Sequence, residues 1–325
     1  MNTDISYWKG ETLVGFEKPQ EIFRIGNIEL GGQPGELSTV LIGSIFFYFD
    51  KIVEDKHQGI FKKKEAKKLI DKVDNLSITT GNPYIIDIEA ITNTAIEKYI
   101  DFISEVTEAP FFVNSTNVPV RLHGVNYVNE IGLLDRAIYA SINFTAEQNE
   151  IDVLKQAKIE NVLVQAFNPK NPFTKGMMRM MKEGLDGEGL VDKVIRTGIK
   201  KPLLFANVYD VPSIGVGCET VYILKKEFGL PSGTAPVGVV GIWGKTEKAK
   251  NLSSNISSIC GANAAAFAKL KGSDFIHYGS LKRADKIFPA VSMIDAIIAY
   301  KAHLSGLEPK NVTPALRDFL DDSKK

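Results

Sequence analysis

Polar side chains recur at the carboxyl ends of short apolar runs in this chain. They include two neighbouring carboxylates, Asp87 and Glu89. The others are mainly hydroxyls and amides: Ser44, Asp50, Asn114, Ser115, Asn143, Gln165, Asn168, Asn207, Asp210, Trp243, His277 and Tyr278. Asn offers both a donor and an acceptor, so this set suits a neutral, polar heterocycle held by many hydrogen bonds, of which a pterin ring is an example. No Lys is placed for a Schiff base, and no Ser–His–Asp order is visible.

Several of these residues have a structural alternative. Asp87 lies within an apolar run, where a carboxylate without a partner would be costly. It is therefore either a ligand-binding residue or part of a structural hydrogen-bond network. Asn114 and Asn143 could equally tie loops to the backbone, and His277 fits a core or rim histidine better than a site residue.

Continuous apolar runs that alternate with helical patterns predict buried parallel strands. The predicted strands are 40–47, 84–90, 110–116, 136–143, 161–168, 202–208, 235–243 and 274–279. The predicted helices are 64–76, 95–107, 188–198, 219–228, 251–270 and 287–304. Thr94 with Glu97, and Thr145 with Gln148, have the spacing of a capping box before a helix.

This alternation predicts a single (β/α)8 TIM barrel. An open doubly wound sheet is the second possibility, but the first strand is not followed by the Gly-x-Gly-x-x-Gly turn of dinucleotide sites, and no P-loop motif occurs. Residues 21–30 resemble a small hairpin across the bottom of the barrel. The turn "GGQPGE" (31–36) would then enter the first strand, unless Gln33 or Glu36 reaches a neighbouring protomer.

Composition excludes several classes of protein. The chain has 325 residues with equal numbers of basic and acidic side chains, so no bulk charge favours nucleic acid or an anionic membrane. Its two cysteines, Cys218 and Cys260, and its four scattered histidines predict neither a disulfide framework nor a metal site. We find no signal peptide and no apolar run of ~18–20 residues. We therefore expect a cytoplasmic protein that meets a membrane only through a partner complex.

The stretch "KGMMRMMK" (175–182) sets four methionines among basic residues. It can form an amphipathic helix that packs on the barrel. It can also form a flexible lid or partner surface, because methionine adapts to irregular contacts.

A colinear set of short motifs resembles one known family. The motifs are "GGQPGE", "LIGSIF", "KIVED", "GIF", "TGNP", "YIDFISEVTEAPF", "AIYASIN", "AFNP" and "FPAVSMIDAIIA". Together they resemble the H subunit of tetrahydromethanopterin S-methyltransferase, and they are similar to its bacterial relative, the methylcobalamin:tetrahydrofolate methyltransferase. The similarity predicts an N-terminal extension (1–20), a barrel domain (21–308) and a C-terminal tail (309–325).

The resemblance implies a pterin-binding TIM barrel that moves a methyl group between N5 of tetrahydromethanopterin or tetrahydrofolate and the cobalt of a corrinoid. That corrinoid is held on a separate protein that docks at the barrel top, and the barrel is often a homodimer. On this basis Asn143 and Asn207 are predicted catalytic residues. The predicted substrate-binding residues are Ser44, Asp87, Asn114, Ser115 and Asn168.

The chain departs from the family pattern at several strand ends. The family carries Asp where Asn114 stands, Asn at Ala140, Asp at Phe205, Asn near Gly238 and His at Asp50. Three interpretations follow: a methyltransferase with a rebuilt pterin site, a methyltransferase for another methyl carrier, or a barrel that only binds a corrinoid protein. We favour the first, because Asp87 and the remaining Asn residues leave a polar cup.

Overall fold

The computed structural model describes residues 15–185, 187–253, 255–310 and 314. An N-terminal hairpin consists of β1 (Ile22–Ile25) and β2 (Ile28–Gly31), and a second small hairpin of β4 (Val53–Asp55) and β5 (Ile60–Phe61). The remaining strands are β3 (Val40–Ile45), β6 (Tyr84–Glu89), β7 (Phe111–Asn114), β8 (Ala137–Ile142), β9 (Asn161–Gln165), β10 (Lys201–Ala206), β11 (Ser232–Thr234) and β12 (Phe275–Ser280).

Helices cover the outside of the strands. They are α1 (Lys63–Thr80), α2 (Asn93–Val106), α3 (Val118–Glu130), α4 (Gln148–Ala157), α5 (Thr174–Lys182), α6 (Leu190–Arg196), α7 (Ile214–Phe228), α8 (Pro236–Trp243), α9 (Glu247–Lys250), α10 (Ile256–Leu270) and α11 (Ala284–Leu304). A short 3-10 turn, Leu281–Arg283, precedes the last helix.

Eight parallel strands close into a barrel in chain order, with β12 paired to β3. The predicted (β/α)8 fold is therefore confirmed. Alternate residues of each strand point inward, since side chains of a strand alternate between its faces. On β6, for example, Ile85 packs in the barrel interior while Ile86 and Ile88 pack in the core between strands and helices.

The N-terminal hairpin closes the bottom of the barrel, as predicted. Phe23, Ile25 and Leu30 pack into the same apolar cluster as the lowest inward residues of the strands. The amide of Gly26 donates to the carbonyl of Asp135, which precedes β8. Because apolar side chains of the described residues seal the bottom, we expect a ligand to enter from the opposite end.

The turn after this hairpin is held within the chain. Gly31, Gly32 and Gly35 all have positive φ, which suits glycine, and a Cβ on Gly31 would lie 2.2 Å from the carbonyl oxygen of Glu21. The Glu36 carboxylate accepts from the amide of Gln33 at 2.9 Å and lies 2.9 Å from the ammonium of Lys310. These contacts agree with the turn interpretation of "GGQPGE".

The seventh strand was predicted in the wrong place. Residues 235–243 form helix α8 apart from its first residue, and the strand is the preceding segment β11. A short apolar run does not by itself distinguish a buried strand from a buried helix. Pro236 in the first helical turn is the feature that favours a helix start, since its missing N–H costs nothing there.

Both predicted capping boxes were also wrong. Helix α2 is capped by Thr92, whose hydroxyl accepts from the amide of Ala95, while Glu97 instead bonds to His123 at 2.6 Å. Helix α4 begins after Glu147 without a side-chain cap. The hydroxyl of Thr145 donates to Asn143 instead, at 2.7 Å.

Two helices settle questions that the sequence raised. All four methionines of α5 are buried in the core, so "KGMMRMMK" is a packing helix and not a lid.

The stretch Leu281–Leu304 is, by length and composition, apolar enough to cross a bilayer, contrary to the sequence expectation. Half of that stretch is buried, and it packs on α1 and α10 as a helix of the barrel's outer layer.

Candidate active site

A cavity of about 750 Å³ opens at the carboxyl end of the barrel strands. This volume lies within the range of small-molecule sites. Apolar side chains such as Phe112, Leu163 and Phe205 form part of its wall. Its polar lining consists of Tyr48, Lys56, Asp87, Glu89, Tyr99, Asn114, Ser115, Thr116, Arg121, Ser141, Asn143, Gln165 and His277.

A four-residue cluster lies at the floor of this cavity. The hydroxyl of Ser44 donates to Asp87 Oδ2 at 2.7 Å, and His277 Nε2 lies 3.0 Å from the same oxygen. The amide nitrogen of Asn114 donates to Asp87 Oδ1 at 2.9 Å. Ser44 and Asp87 stand opposite each other in the register of β3 and β6, while His277 comes from β12 on the other side of β3. Barrel closure therefore assembles the cluster.

The two titratable members of the cluster favour each other's charged forms. Burial alone would raise the pKa of Asp87, but the hydrogen bond and charge of His277 lower it below its ordinary value, with help from Ser44 and Asn114. Burial alone would likewise lower the pKa of His277, but the bond to Asp87 and its charge raise it. Asp87 is thus an ionised carboxylate with donors on both oxygens.

Glu89 lies above Asp87 on the same face of β6 and lines the cavity. Burial, followed by the charge of Asp87, raises the pKa of this carboxyl to about 7. In the described part of the chain, no Lys or Arg lies within ion-pair distance of it. Glu89 therefore exchanges a proton near neutral pH, unlike Asp87.

A buried ion pair supports one wall. Arg121 donates through Nη1 to the carbonyl of Ser115 at 2.6 Å and through Nε to the hydroxyl of Tyr139 at 3.1 Å. Its Nη2 lies 3.3 Å from Glu150, which also accepts from Tyr139. These bonds fix the loop after β7, and with it the position of Ser115.

The three other predicted Asn residues have different surroundings. Asn143 lines the cavity, and its Oδ1 accepts from the amide and the hydroxyl of Thr145. Its NH₂ group has no partner among the described residues. Asn168 lies outside the lining, where it accepts from two backbone amides and donates to the carbonyl of Gly176. Asn207 is also outside the lining, and its Oδ1 is buried without a partner among the residues described.

The positions predicted to depart from the family pattern divide into two groups. Asn114, Ala140 and Phe205 all line the cavity, so these departures change its surface. Gly238 lies in helix α8, outside the lining. Asp50 is buried in the loop between β3 and β4, where its carboxylate accepts hydrogen bonds from the amide of Phe46 and, at 2.8 Å, from the ammonium of Lys282.

Sequence reasoning missed the roles of His277, Glu89 and Arg121. The alternation of β6 alone places Glu89 on the same face as Asp87, so that signal was available. His277 was recognisable only through the pairing of β12 with β3, which no local pattern reveals. Arg121 lies on α3, a helix that we did not predict.

Comparison with known proteins identifies the family. The family model described as the tetrahydromethanopterin S-methyltransferase MtrH subunit matches residues 18–310. This chain belongs to the MtrH family. It is 35% identical to the H subunit of tetrahydromethanopterin S-methyltransferase from Methanothermobacter thermautotrophicus, covering 90% of this chain and 96% of the relative.

A second group of relatives is equally similar. The H subunit of the putative methyltransferase mtx from Methanosarcina mazei is 36% identical, over 90% of this chain and 96% of the relative. The first group is named as methyltransferase subunits and the second as putative ones, and together with the family match this confirms the predicted class of enzyme.

Solved structures support the fold. The dihydropteroate synthase of Yersinia pestis aligns with a TM-score of 0.55 at 13% identity, covering 85% of this chain and 98% of that one. The enzyme from Xanthomonas albilineans aligns with a TM-score of 0.52 at 13% identity, covering 87% and 99%. At this identity the similarity concerns the barrel architecture alone.

Proposed function

We propose that this chain transfers a methyl group between N5 of a tetrahydropterin and the cobalt of a corrinoid held on a partner protein. The observation that carries the proposal is the amide- and hydroxyl-rich cavity at the barrel top, in a chain of the MtrH family. The tetrahydropterin is tetrahydromethanopterin or tetrahydrofolate.

The cavity suits a flat, polar heterocycle. Phe112 and Phe205 offer apolar surface for ring faces, while Asn143 and Gln165 offer amide groups toward ring nitrogens and oxygens. Arg121 also lines the cavity, but it is neutralised by Glu150. Such a lining positions a ligand by many moderate hydrogen bonds, which is what methyl transfer requires.

The chemistry needs little from the protein beyond positioning and proton supply. A Co(I) corrinoid is itself the nucleophile, so no side-chain base has to activate it. The amine nitrogen that loses the methyl group is a poor leaving group unless it gains a proton. The predicted catalytic role of Asn143 is then to hold the reacting part of the pterin, for which its free NH₂ group is available. The predicted roles of Asn168 in substrate binding and of Asn207 in catalysis stay predictions.

Docking of the corrinoid protein is proposed at the rim of the barrel top. Exposed aromatic side chains follow three strands there: Tyr48 and Phe49 after β3, Phe173 after β9 and Tyr209 after β10. Exposed aromatic clusters of this kind mark protein interfaces.

We expect Phe49→Ser to raise the KM for the corrinoid protein, whereas Ile78→Ser, an equally exposed change at the bottom end of α1, has no effect. An unchanged KM in both variants would exclude this rim as the docking surface.

Assembly and location complete the proposed function. We propose a homodimer, for which the exposed row Met293, Ile297, Tyr300 and Leu304 on α11 offers an apolar face for a second copy. We also propose a cytoplasmic location, with membrane contact only through a partner complex. The near-neutral charge gives no attraction to a membrane surface.

A spectroscopic assay tests the reaction. Purified chain, a Co(I) corrinoid protein and methyl-tetrahydromethanopterin or methyl-tetrahydrofolate are mixed, and methyl-Co(III) formation is followed by its absorbance. We expect a rate well above the protein-free control, and a loss of about 10- to 100-fold in Asn143→Ala from one removed hydrogen bond. Asn126→Ala, exposed on α3, serves as the control and should keep the full rate.

A second candidate function is that of a binding protein for the corrinoid protein, without turnover. Ala140 and Phe205 favour it, because they place apolar groups in the cavity at positions where the family resemblance predicts amide and acid side chains. Under this alternative, the spectroscopic assay gives no rate above the control, while the corrinoid protein still co-elutes with the chain.

A further inference from the structure

We propose that Glu89 is the acid that delivers the proton to the pterin nitrogen losing its methyl group. This inference rests on the proposed function and adds to it a catalytic residue. Two carboxyls on one strand, Asp87 and Glu89, share a face of β6 but have different surroundings.

The backbone places Glu89 at the level where a ligand lies. Asp87 and Glu89 are two residues apart on β6, so Glu89 stands about 7 Å nearer the cavity mouth. Its register partner is Asn114 of β7, which also lines the cavity. Ile88, between the two carboxyls, points to the outer core and anchors the strand. Asp87 thus lies in the floor, and Glu89 in the wall above it.

The other titratable side chains of the lining are less suited to give a proton to a ligand. Both oxygens of Asp87 accept hydrogen bonds from protein donors, and the Nε2 of His277 faces Asp87 and Ser44. Burial raises the pKa of Tyr99 to about 12, which makes it a weak acid at neutral pH. Arg121 is bound to Glu150, while the Lys56 ammonium lies 3.3 Å from the centre of the Tyr48 ring.

Glu89 has two properties that suit a general acid: a carboxyl that is open to the cavity and a pKa near neutrality. Its carboxyl is open to the cavity and, in the described chain, forms no ion pair. Its pKa is raised to about 7 by burial and then by the charge of Asp87, with Asp50 adding to the rise and Ser44 and His277 opposing it. A carboxyl in that range holds a proton at neutral pH and can release it, which is the condition for efficient general acid catalysis.

The transfer step conserves atoms and electrons. The methyl carbon forms a bond to cobalt. Both electrons of this new bond come from Co(I), so the metal becomes Co(III). The N5–CH₃ bond breaks and its electron pair remains on N5. The proton of Glu89 joins that nitrogen and leaves a Glu89 carboxylate, which regains a proton from solvent. In the reverse direction the carboxylate takes the proton from N5.

Binding of the ligand supplies a test that does not depend on turnover. A pterin that displaces water from the cavity further disfavours the charged form of Glu89, so binding at pH 7 should take up about half a proton. Titration calorimetry of the full chain with methyl-tetrahydromethanopterin and methyl-tetrahydrofolate, in buffers of different ionisation enthalpy, measures that uptake. Glu89→Gln should bind the same ligand within about threefold but without proton uptake.

Turnover gives the second readout. Single-turnover methyl transfer to a Co(I) corrinoid protein should fall about 10²- to 10⁴-fold in Glu89→Gln, the usual contribution of a general acid. The wild-type rate should decline above pH 7 as the Glu89 carboxyl ionises. This decline of the rate with rising pH should be absent in Glu89→Gln. Glu89→Asp, which keeps the acid on a shorter side chain, should recover part of the rate. Glu105→Gln, on the exposed outer face of α2, is the matched control.

The outcomes separate the two proposals. If the wild type binds neither methylpterin, the proposed function and this inference both fail. If the wild type binds and transfers methyl groups, but Glu89→Gln keeps its proton uptake and its rate, Glu89 is not the acid and the proposed function stands. Should Glu89→Gln not fold, as judged by its thermal melt, Glu89→Asp carries the test. An unchanged rate and pH limb in that shortened variant would then overturn the assignment.

Discussion

The Oδ2 atom of Asp87 lies 3.0 Å from the Nε2 atom of His277, across the intervening strand β3. Ser44 of that strand bonds to the same carboxylate oxygen. Three side-chain donors therefore use most of the acceptor capacity that a carboxylate offers. Asp87 thus organises the cavity floor through His277 and Asn114, whereas Glu89 lines the cavity without an ion pair among the described residues.

Asp87→Asn should lower the pKa of His277, because the opposing charge is removed. It should also destabilise the fold by about 1–3 kcal/mol, since an amide donor would then face donors of the protein. A two-dimensional NMR titration of the imidazole measures the pKa, and denaturant unfolding measures the stability. Asp71→Asn, which only breaks an exposed pair with Lys67, should change stability by less than about 1 kcal/mol.

The stabilising effect of this pair depends on pH in a defined direction. The pKa of Asp87 is lowered on folding, so its contribution is present above the ordinary value of 3.8 and is lost as pH falls through the folded pKa. The pKa of His277 is raised, so its contribution is complete below 6.5 and is lost as pH rises through the folded pKa. The stability difference between wild type and Asp87→Asn should therefore be largest between these two values. A difference that does not vary with pH would mean that the pair is not charged.

Lys225→Met should destabilise the protein by about 3–5 kcal/mol, because it leaves a buried carboxylate without its partner. The Lys225 ammonium is fully buried, 2.6 Å from Asp274 and 3.0 Å from the carbonyl of Gly32. It joins α7 to the turn that leads into the barrel. Lys226→Met, the next and exposed residue, is the control, and equal unfolding midpoints for the two variants would contradict the prediction.

Phe205→Ala tests whether the predicted departure from the family pattern at this position is functional. If the ring packs on the pterin, its loss should weaken methylpterin binding about 10-fold, in line with the energy of aromatic contacts. Calorimetric titration measures the affinity, with Phe267→Ala on the partly exposed face of α10 as the control. Tighter binding in Phe205→Ala would show instead that the ring obstructs the cavity.

Ile297→Asp tests the proposed homodimer. The charge falls in the middle of the apolar row on α11, so it should convert a dimer to a monomer without loss of secondary structure. Sedimentation velocity across a range of concentrations gives the oligomeric state. Ile195→Asp on α6 is similarly exposed and should leave the dimer intact. A monomeric wild type would exclude the dimer.

Local sequence determined most of the architecture. Continuous apolar runs such as 40–47 and 84–90 are typical of strands covered on both sides, and their alternation with amphipathic helices favours the barrel. The prediction failed at 235–243 because the seventh strand is only three residues long and a helix rich in Val and Gly follows it. An apolar run carries no periodicity that separates these two structures.

The strand-end positions also predicted part of the cavity lining, since the structure brings together Asp87, Asn114, Ser115 and Asn143 in one cavity. The tertiary structure alone decided what those side chains do. His277 reaches Asp87 only because β12 closes the barrel against β3, although the two residues are 190 positions apart in sequence. The proton affinity of Glu89 follows from that closure, because burial in the cavity wall and the charge of Asp87 exist only once the barrel has formed.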